Sequence, residues 1–414
     1  MKPNTLLIIP PAPYMTSDRA FPPLGILYVG TYLKKNNIPV KILDLTGESK
    51  WLDIFKREFS KNIPSYMGIT ATTPDMPIVM RILKEAKKKS KNTKFIIGGP
   101  HATISPETCH DFDSIVIGDG FKASLKAFSP NREKIIKEPI EKNLDTIPFP
   151  DRELIDINKY SYYINGRKST NIMTHLGCPY NCIFCCGRKT EYYKYVRYRS
   201  PENVIAEMDM LNAKYGYKAF VFYDDEFNLN RNYVLKLCKL LKNKNYIWRA
   251  PIRANLVDEE MVKRMKEAGC VEVTVGVESG SDKVLKICKK QTTAKINSYA
   301  RELFSKYSIK FKAFVVIGLP KASIEDERLT EKWLLENKPD SVDININTPY
   351  PSTEQYEKKE KYGLKFKYNF FKQTISYKFD PQKYDAFSSN SLMSKSEILK
   401  MREKILKKVN RKLK

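Results

Sequence analysis

Short runs of β-branched and aliphatic residues alternate with segments whose apolar positions recur every three or four residues. In the first third of the chain the runs predict strands at 6–9, 40–45, 67–72, 95–98 and 114–117. The amphipathic segments between them predict helices at 24–35, 52–60 and 76–89. Strand and helix in strict alternation imply a parallel sheet, because each parallel connection must cross over a face of the sheet. Ligands of such sheets bind beyond the carboxyl ends of the strands. Turn residues gather there: Pro10-Pro11, Gly98-Gly99-Pro100 and Gly118-Asp119-Gly120.

The pattern weakens over 131–165, where Pro139, Pro148 and Pro150 break it, as expected of a linker. A second series follows, with strands expected at 171–175, 219–223, 248–253, 271–277, 312–317 and 342–347. Helices are expected at 201–214, 232–241, 258–267, 293–307 and 324–337. Pro201 after Ser200, Asp258 as an N-cap and Gly269 as a stop mark helix ends. Six βα units make a partial (β/α)6 TIM-type barrel the natural architecture. The chain turns polar after Pro351 and closes in an amphipathic helix from Ser396 to about Leu413. Ile398, Leu399, Ile405, Leu406, Val409 and Leu413 form its apolar stripe. The expected fold class is therefore α/β: an N-terminal doubly wound, Rossmann-like (flavodoxin-like) sheet, the partial barrel and a C-terminal helical tail. The expected divisions are 1–130, a linker 131–165, a barrel 166–351 and an extension 352–414.

Composition narrows the class. The chain has 414 residues, 42% hydrophobic and 12% aromatic, which is too apolar for disorder throughout. No apolar run approaches the ~20 residues that span a bilayer. The first apolar stretch soon meets prolines and reads as a strand, not a signal peptide. A cytoplasmic location is expected. Lys and Arg number 73 against 47 Asp and Glu, a formal charge of +26. Such an excess suits a nucleic acid or an anionic membrane. Lysine is spread along the chain, however, so a solvated basic surface is the preferred reading and nucleic acid the lesser one. The one local concentration is the last helix, with nine Lys/Arg and two Glu from Lys395 to Lys414. Its stripe is expected to pack on the barrel; lipid or RNA is the rival.

Four of the eight cysteines, Cys178, Cys182, Cys185 and Cys186, fall within nine positions after the first strand of the second series. Disulfides are not expected in a chain without an export signal. Cys178, Cys182 and Cys185 are spaced C-x3-C-x2-C. Three thiolates on one tight loop suit three irons of a [4Fe–4S] cluster, leaving the fourth iron open to a chelate. Zinc would need a fourth ligand, and Cys186 and His175 stand in no usual pair.

This loop, with Phe184 before its last cysteine, resembles the cluster loop of radical S-adenosylmethionine (SAM) enzymes. The resemblance implies that the open iron chelates SAM and that one electron cleaves it to a 5′-deoxyadenosyl radical. It extends along the later strand ends: Tyr223-Asp224-Asp225-Glu226, Arg253-Ala254-Asn255, Val277-Glu278-Ser279-Gly280 and Val316-Ile317-Gly318-Leu319-Pro320 followed by Glu325. Asn347-Thr348-Pro349-Tyr350-Pro351-Ser352-Thr353 resembles the family's Pro-Gly-Thr segment, with Ser352 where Gly is usual. It implies that Asp224, Glu226, Arg253, Glu278, Ser279, Ile317 and Gly318 lie around SAM.

The first domain, with Phe21-Pro22-Pro23-Leu24-Gly25 and the glycine-rich strand ends, resembles the cobalamin-binding domain of one radical SAM subgroup. Bare backbone there would let a flat macrocycle approach. The resemblance implies cobalamin at Thr70, Thr72, Gly98, Gly99, Pro100, His101, Gly118 and Gly120. The signature that supplies a histidine to cobalt, D-x-H-x-x-G, is absent.

The function implied is a cobalamin-dependent C-methyltransferase acting on an unactivated carbon of a small-molecule or peptide substrate. An electron donor such as flavodoxin or ferredoxin is its implied partner. A cyclisation or rearrangement enzyme on the same scaffold is the first alternative. An RNA-modifying methylthiotransferase is the second, although that group usually has three N-terminal cysteines where this chain has Cys109 alone. No side-chain acid or base is assigned.

Overall fold

The computed structural model describes residues 4–15, 17–186, 190–366 and 386–412. They divide into two compact units, with the boundary between Tyr162 and Tyr163.

The first unit is built on β1 (Thr5–Ile9), β2 (Val40–Asp44), β3 (Tyr66–Thr70), β4 (Lys94–Gly98), β5 (Ser114–Ile117) and β6 (Ile135–Lys137). All pair in parallel in the order β2-β1-β3-β4-β5-β6, a doubly wound sheet. Successive side chains point to opposite faces. Leu6 and Ile8 join Phe55, Phe59, Val79 and Ile82 of helices Trp51–Lys61 and Met76–Lys89. Leu7 and Ile9 join Leu27, Leu33, Ala123 and Ala127 of helices Leu24–Lys35 and Gly120–Ala127. The five strands predicted here lie within two residues of their expected places. The third ends early, at Thr70, for a specific reason. The amide and hydroxyl of Thr72 both donate to the Asp75 carboxylate at 2.7 Å, capping the turn Thr73–Asp75 instead of continuing the strand. Within 131–165, expected as linker, β6 extends the sheet and Tyr160 is buried in the core.

The second unit holds β7 (Tyr162–Ile164), β8 (Arg167–Ile172), a small hairpin of β9 (His175–Leu176) and β10 (Arg197–Tyr198), then β11 (Ala219–Phe222), β12 (Ile247–Ile252), β13 (Cys270–Glu278), β14 (Lys310–Ile317) and β15 (Ser341–Ile346). The main sheet runs β15-β14-β13-β12-β11-β8-β7, and β8 with β11 to β15 are all parallel. Among the described residues the two edge strands do not pair, so the architecture is a partial (β/α)6 barrel. Ser200 and Asp258 cap their helices through the Asn203 and Met261 amides. Phe222, Phe227 and Trp248 pack together behind the sheet. The next residue on β12, Arg249, faces the opposite, open side and pairs with Glu272 at 3.1 Å.

The basic helix Lys395–Lys412 packs on this barrel. Ile398, Met401, Ile405 and Val409 are buried, each worth about 1.5–3 kcal/mol over exposure. Arg402 Nε donates to the Ile344 carbonyl of edge strand β15 at 2.9 Å. Leu413 lies outside the described residues. Among the described residues no helix is long and apolar enough to cross a membrane.

Candidate functional site

The strand expected over 171–175 is broken, and the break builds the mouth of the barrel. β8 stops at Ile172, and the chain restarts as β9 at His175. Asp224, just past β11, is the cause. Its carboxylate accepts the Thr174 amide (2.7 Å), the Thr174 hydroxyl (2.6 Å) and the His175 amide (3.2 Å).

The cysteine loop follows directly. Gly177 has φ +93°, and a Cβ there would stand 2.3 Å from the Tyr195 carbonyl oxygen, so only glycine fits. The Cys178 amide donates to Tyr193 (2.9 Å) and the Cys185 amide to Cys182 (3.1 Å). A turn at 288–291, with left-handed Lys289 and Gln291, clamps the loop from the far side. The Cys288 carbonyl accepts the Ile183 amide (3.1 Å), and the Lys289 carbonyl accepts the Cys182 thiol (3.8 Å).

Cys182 and Cys185 are neighbours. The hydrogen bond from Cys185, with the Lys290 and Arg253 cations, pulls the Cys182 thiol below its usual value against the opposing effect of burial. That favours the thiolate, the form that binds metal. The same hydrogen bond, and burial, push Cys185 up. Among the described residues no three His, Cys, Asp or Glu side chains converge on one point. The donor set nonetheless suits an iron–sulfur cluster: three thiols on one clamped loop, one already acidified.

Arg253 is the hub. Its guanidinium lies 3.5 Å from the Tyr180 ring centre and donates to Asn255 (2.9 Å), to the Cys182 sulfur (3.9 Å) and to the Lys290 carbonyl. Glu226 stands 4.0 Å from it, and burial raises that carboxyl. Asn228 holds the turn by exchanging bonds with the Arg253 backbone, at 2.8 and 3.0 Å. Glu278 ends β13 at a bulge with φ +62° and pairs with buried Lys290 at 2.8 Å. Burial opposes the Lys290 charge, but Glu278 and Glu226 outweigh it and raise its pKa.

Cys182, Cys185, Glu226, Arg253 and Glu278 thus meet around the loop. Other residues expected around SAM have different company. Ser279 bonds Thr330 (3.2 Å) and Ser281 (3.1 Å). Ile317 is buried, and the Gly318 amide donates to Glu327 at 2.8 Å. Glu325 is exposed and paired with Arg328; the carboxylate that reaches the strand is Glu327. Lys290, Tyr180, Asn228 and Glu327 went unnoticed in the sequence. Lys290 follows Lys289 in a polar stretch and Glu327 sits among Glu325, Asp326 and Arg328, so no sequence signal sets either apart.

In the first unit, the residues expected at cobalamin line the carboxyl edge of the sheet. Gly99 has φ +92°, and a Cβ there would lie 2.6 Å from Thr70 Oγ1. At Gly98 a Cβ would meet only Val116, at 3.6 Å, so the backbone is bare. Pro100 opens helix Pro100–Ile104, and Gly120 opens Gly120–Ala127. The Gly118 amide donates to Thr103 (3.0 Å). This glycine shelf suits the face of a macrocycle. His101 is fully buried, with both ring nitrogens in hydrogen bonds, to Thr73 (3.0 Å) and Thr108 (2.8 Å).

Comparison with known proteins covers both units. The radical SAM superfamily matches residues 172–334, and the B12 binding domain matches residues 16–126. An uncharacterized methyltransferase of Pyrococcus horikoshii is 32% identical over 380 residues, 85% of this chain and 82% of the relative. An anaerobic magnesium-protoporphyrin IX monomethyl ester cyclase of Rubrivivax gelatinosus is 25% identical over 386 residues, 84% of this chain and 69% of the relative. Among solved structures, the radical SAM methyltransferase TsrM from Kitasatospora setae, with cobalamin and a [4Fe–4S] cluster bound, superposes with a TM-score of 0.69. It shares 16% identity, over 88% of this chain and 80% of that one, a likeness of fold.

Proposed function

The chain belongs to the radical SAM superfamily, in the branch that joins a B12 binding domain to the barrel, and from that membership we propose that it is a cobalamin-dependent C-methyltransferase. The observation that carries the reading is the cysteine loop clamped by the 288–291 turn, with the Arg253 guanidinium on the Cys182 sulfur. Cys178, Cys182 and Cys185 would hold a [4Fe–4S] cluster, and the glycine shelf of the first unit would hold cobalamin. When bound, these groups and SAM supply radical formation and methyl transfer.

The chain's own residues bind and orient. Arg253 and Lys290 set two buried cations at the loop. Glu226 offers a carboxylate to the ammonium of SAM, and Glu278 is a second acceptor at the mouth. Ser279, Ile317 and Gly318 would shape its walls. The open face of the barrel carries two half-buried ion pairs, Arg249–Glu272 and Lys312–Asp343, each at 3.1 Å. We place the first domain at 1–162, taking in most of the stretch 131–165 expected as linker, the barrel at 163–351 and the extension at 352–414, and the enzyme in the cytoplasm with an electron donor such as flavodoxin or ferredoxin.

Cyclisation on the same scaffold is the second reading, favoured by the cyclase relative. The test is anaerobic reconstitution. Wild type should take up about four irons and four sulfides per chain. Iron uptake that survives Ala at Cys178, Cys182 and Cys185 together refutes the reading. Hydroxocobalamin should bind with a shifted visible spectrum. A product heavier by one methylene separates methylation from cyclisation.

A further inference from the structure

Asp224 stands at a strand end where a carboxylate could meet the ammonium of SAM. Its bonding says otherwise. Both oxygens are occupied by donors from the β8–β9 junction, the Thr174 amide, the Thr174 hydroxyl and the His175 amide. The side chain has no exposure, and neither does that of His175, whose Nδ1 lies 3.6 Å from Asp224 Oδ2 and 3.3 Å from Thr174 Oγ1. The His175 ring packs on Tyr198 of β10, and Tyr198 packs on Tyr233. Cys178 comes three residues after His175, with Gly177 pressed against Tyr195 between them. The start of the cysteine loop is therefore aimed by one buried anion on the neighbouring strand.

We propose that Asp224 is a positioning residue for the iron–sulfur cluster: its carboxylate fixes the β8–β9 break and so sets where the Cys178 end of the loop points. Charged acceptors of several amides make strong bonds, and partners beyond the ligands govern metal retention. This rests on the proposed cluster, but it assigns Asp224 away from SAM.

The test uses full-length protein, reconstituted anaerobically. Asp224→Asn keeps the shape and an oxygen for the two amides, but it removes the charge that strengthens all three bonds and puts an NH2 where the second oxygen accepted the Thr174 hydroxyl, which must reverse to accept. Iron release to a chelator should quicken about 10–100-fold, and the EPR signal of the reduced cluster should broaden or shift. SAM affinity of the cluster-loaded fraction should stay within about twofold. Thr174→Val removes one of the three bonds and should give a smaller acceleration, with the apoprotein melting temperature lowered but the fold retained. It decides the matter if D224N does not fold. Wild-type iron retention and EPR in either folded variant overturns the proposal, as does a selective loss of SAM affinity in D224N. Wild type that takes up no cluster refutes instead the function on which the proposal rests.

Discussion

Replacing Gly276 with alanine tests the centre of the site without touching a cysteine. In the native barrel the Glu278–Lys290 pair lies across Gly276. Its atoms are 2.8 Å apart, with side chains 11% and 7% exposed. A Cβ on residue 276 would stand 2.4 Å from Glu278 Oε1 and 2.7 Å from Lys290 Nζ. Both ends must retreat by about an ångström to reach normal contact at ~3.5–4.0 Å. Neither moves freely. Glu278 is held at a left-handed bulge, and the Lys290 carbonyl is bound by Arg253. The pair can still swing out together, so the cost falls in the ~1–3 kcal/mol of an overpacked core. It stays below the ~3–5 kcal/mol of an abandoned buried charge. At about 2–4 °C per kcal/mol for 150–250 residues, the melting temperature should drop about 2–12 °C. Trp248 and Trp333 report on this unit, and Trp51→Phe removes the signal of the other. In an E278A/K290A background the added methyl meets no pair and should be neutral or stabilising. A G276A penalty that persists there, or no penalty in the wild-type background, refutes the packing argument.

Three further outcomes follow from single residues. Burial holds His101 at about 4, below the usual 6.5. The unfolded chain therefore takes up a proton first, and stability of the first unit, full above pH 6.5, should fall by about 3 kcal/mol as pH drops to about 4. His101→Gln should flatten the slope in denaturant titrations. Burial raises Glu327 from 4.5 to about 8, so its stabilising, protonated form is lost as pH rises through that window. Glu327→Gln should remove the fall in melting temperature between pH 4.5 and about 8 and change little at pH 5. Gly177→Ala should displace the loop against Tyr195 and cut iron uptake severely, while far-UV circular dichroism stays native.

The fold was legible because its signal is periodic and repeated. A strand read as 95–98 or a helix read as 324–337 needs only local alternation and caps, and both appear in place. The missed pieces lack a period. β6 has three residues, and helix Asp282–Ile287 has six. The break between β8 and β9 is invisible in sequence. Met173-Thr174-His175 contains no turn residue and would serve as strand; only a carboxylate 50 positions beyond Thr174 ends it.

The site was legible in type but not in partner. A cysteine spacing encodes its own chemistry, because ligand count and loop length are both local. An acidic residue at a strand end encodes only a charge. Asp224 and Glu226 are two apart and look alike in sequence, yet one is bound by three donors from the β8–β9 junction and the other faces Arg253. Glu325 and Glu327 divide in the same way, one exposed and one on the Gly318 amide. In each pair the helix or loop phase decides which carboxylate turns inward, and a two-residue error exchanges a solvated group for a structural one. Lys290 is the converse case. Its charge reads as one more lysine among many in a chain of net charge +26, and its significance comes from Gly276 and Glu278, which leave room for it and neutralise it inside the barrel.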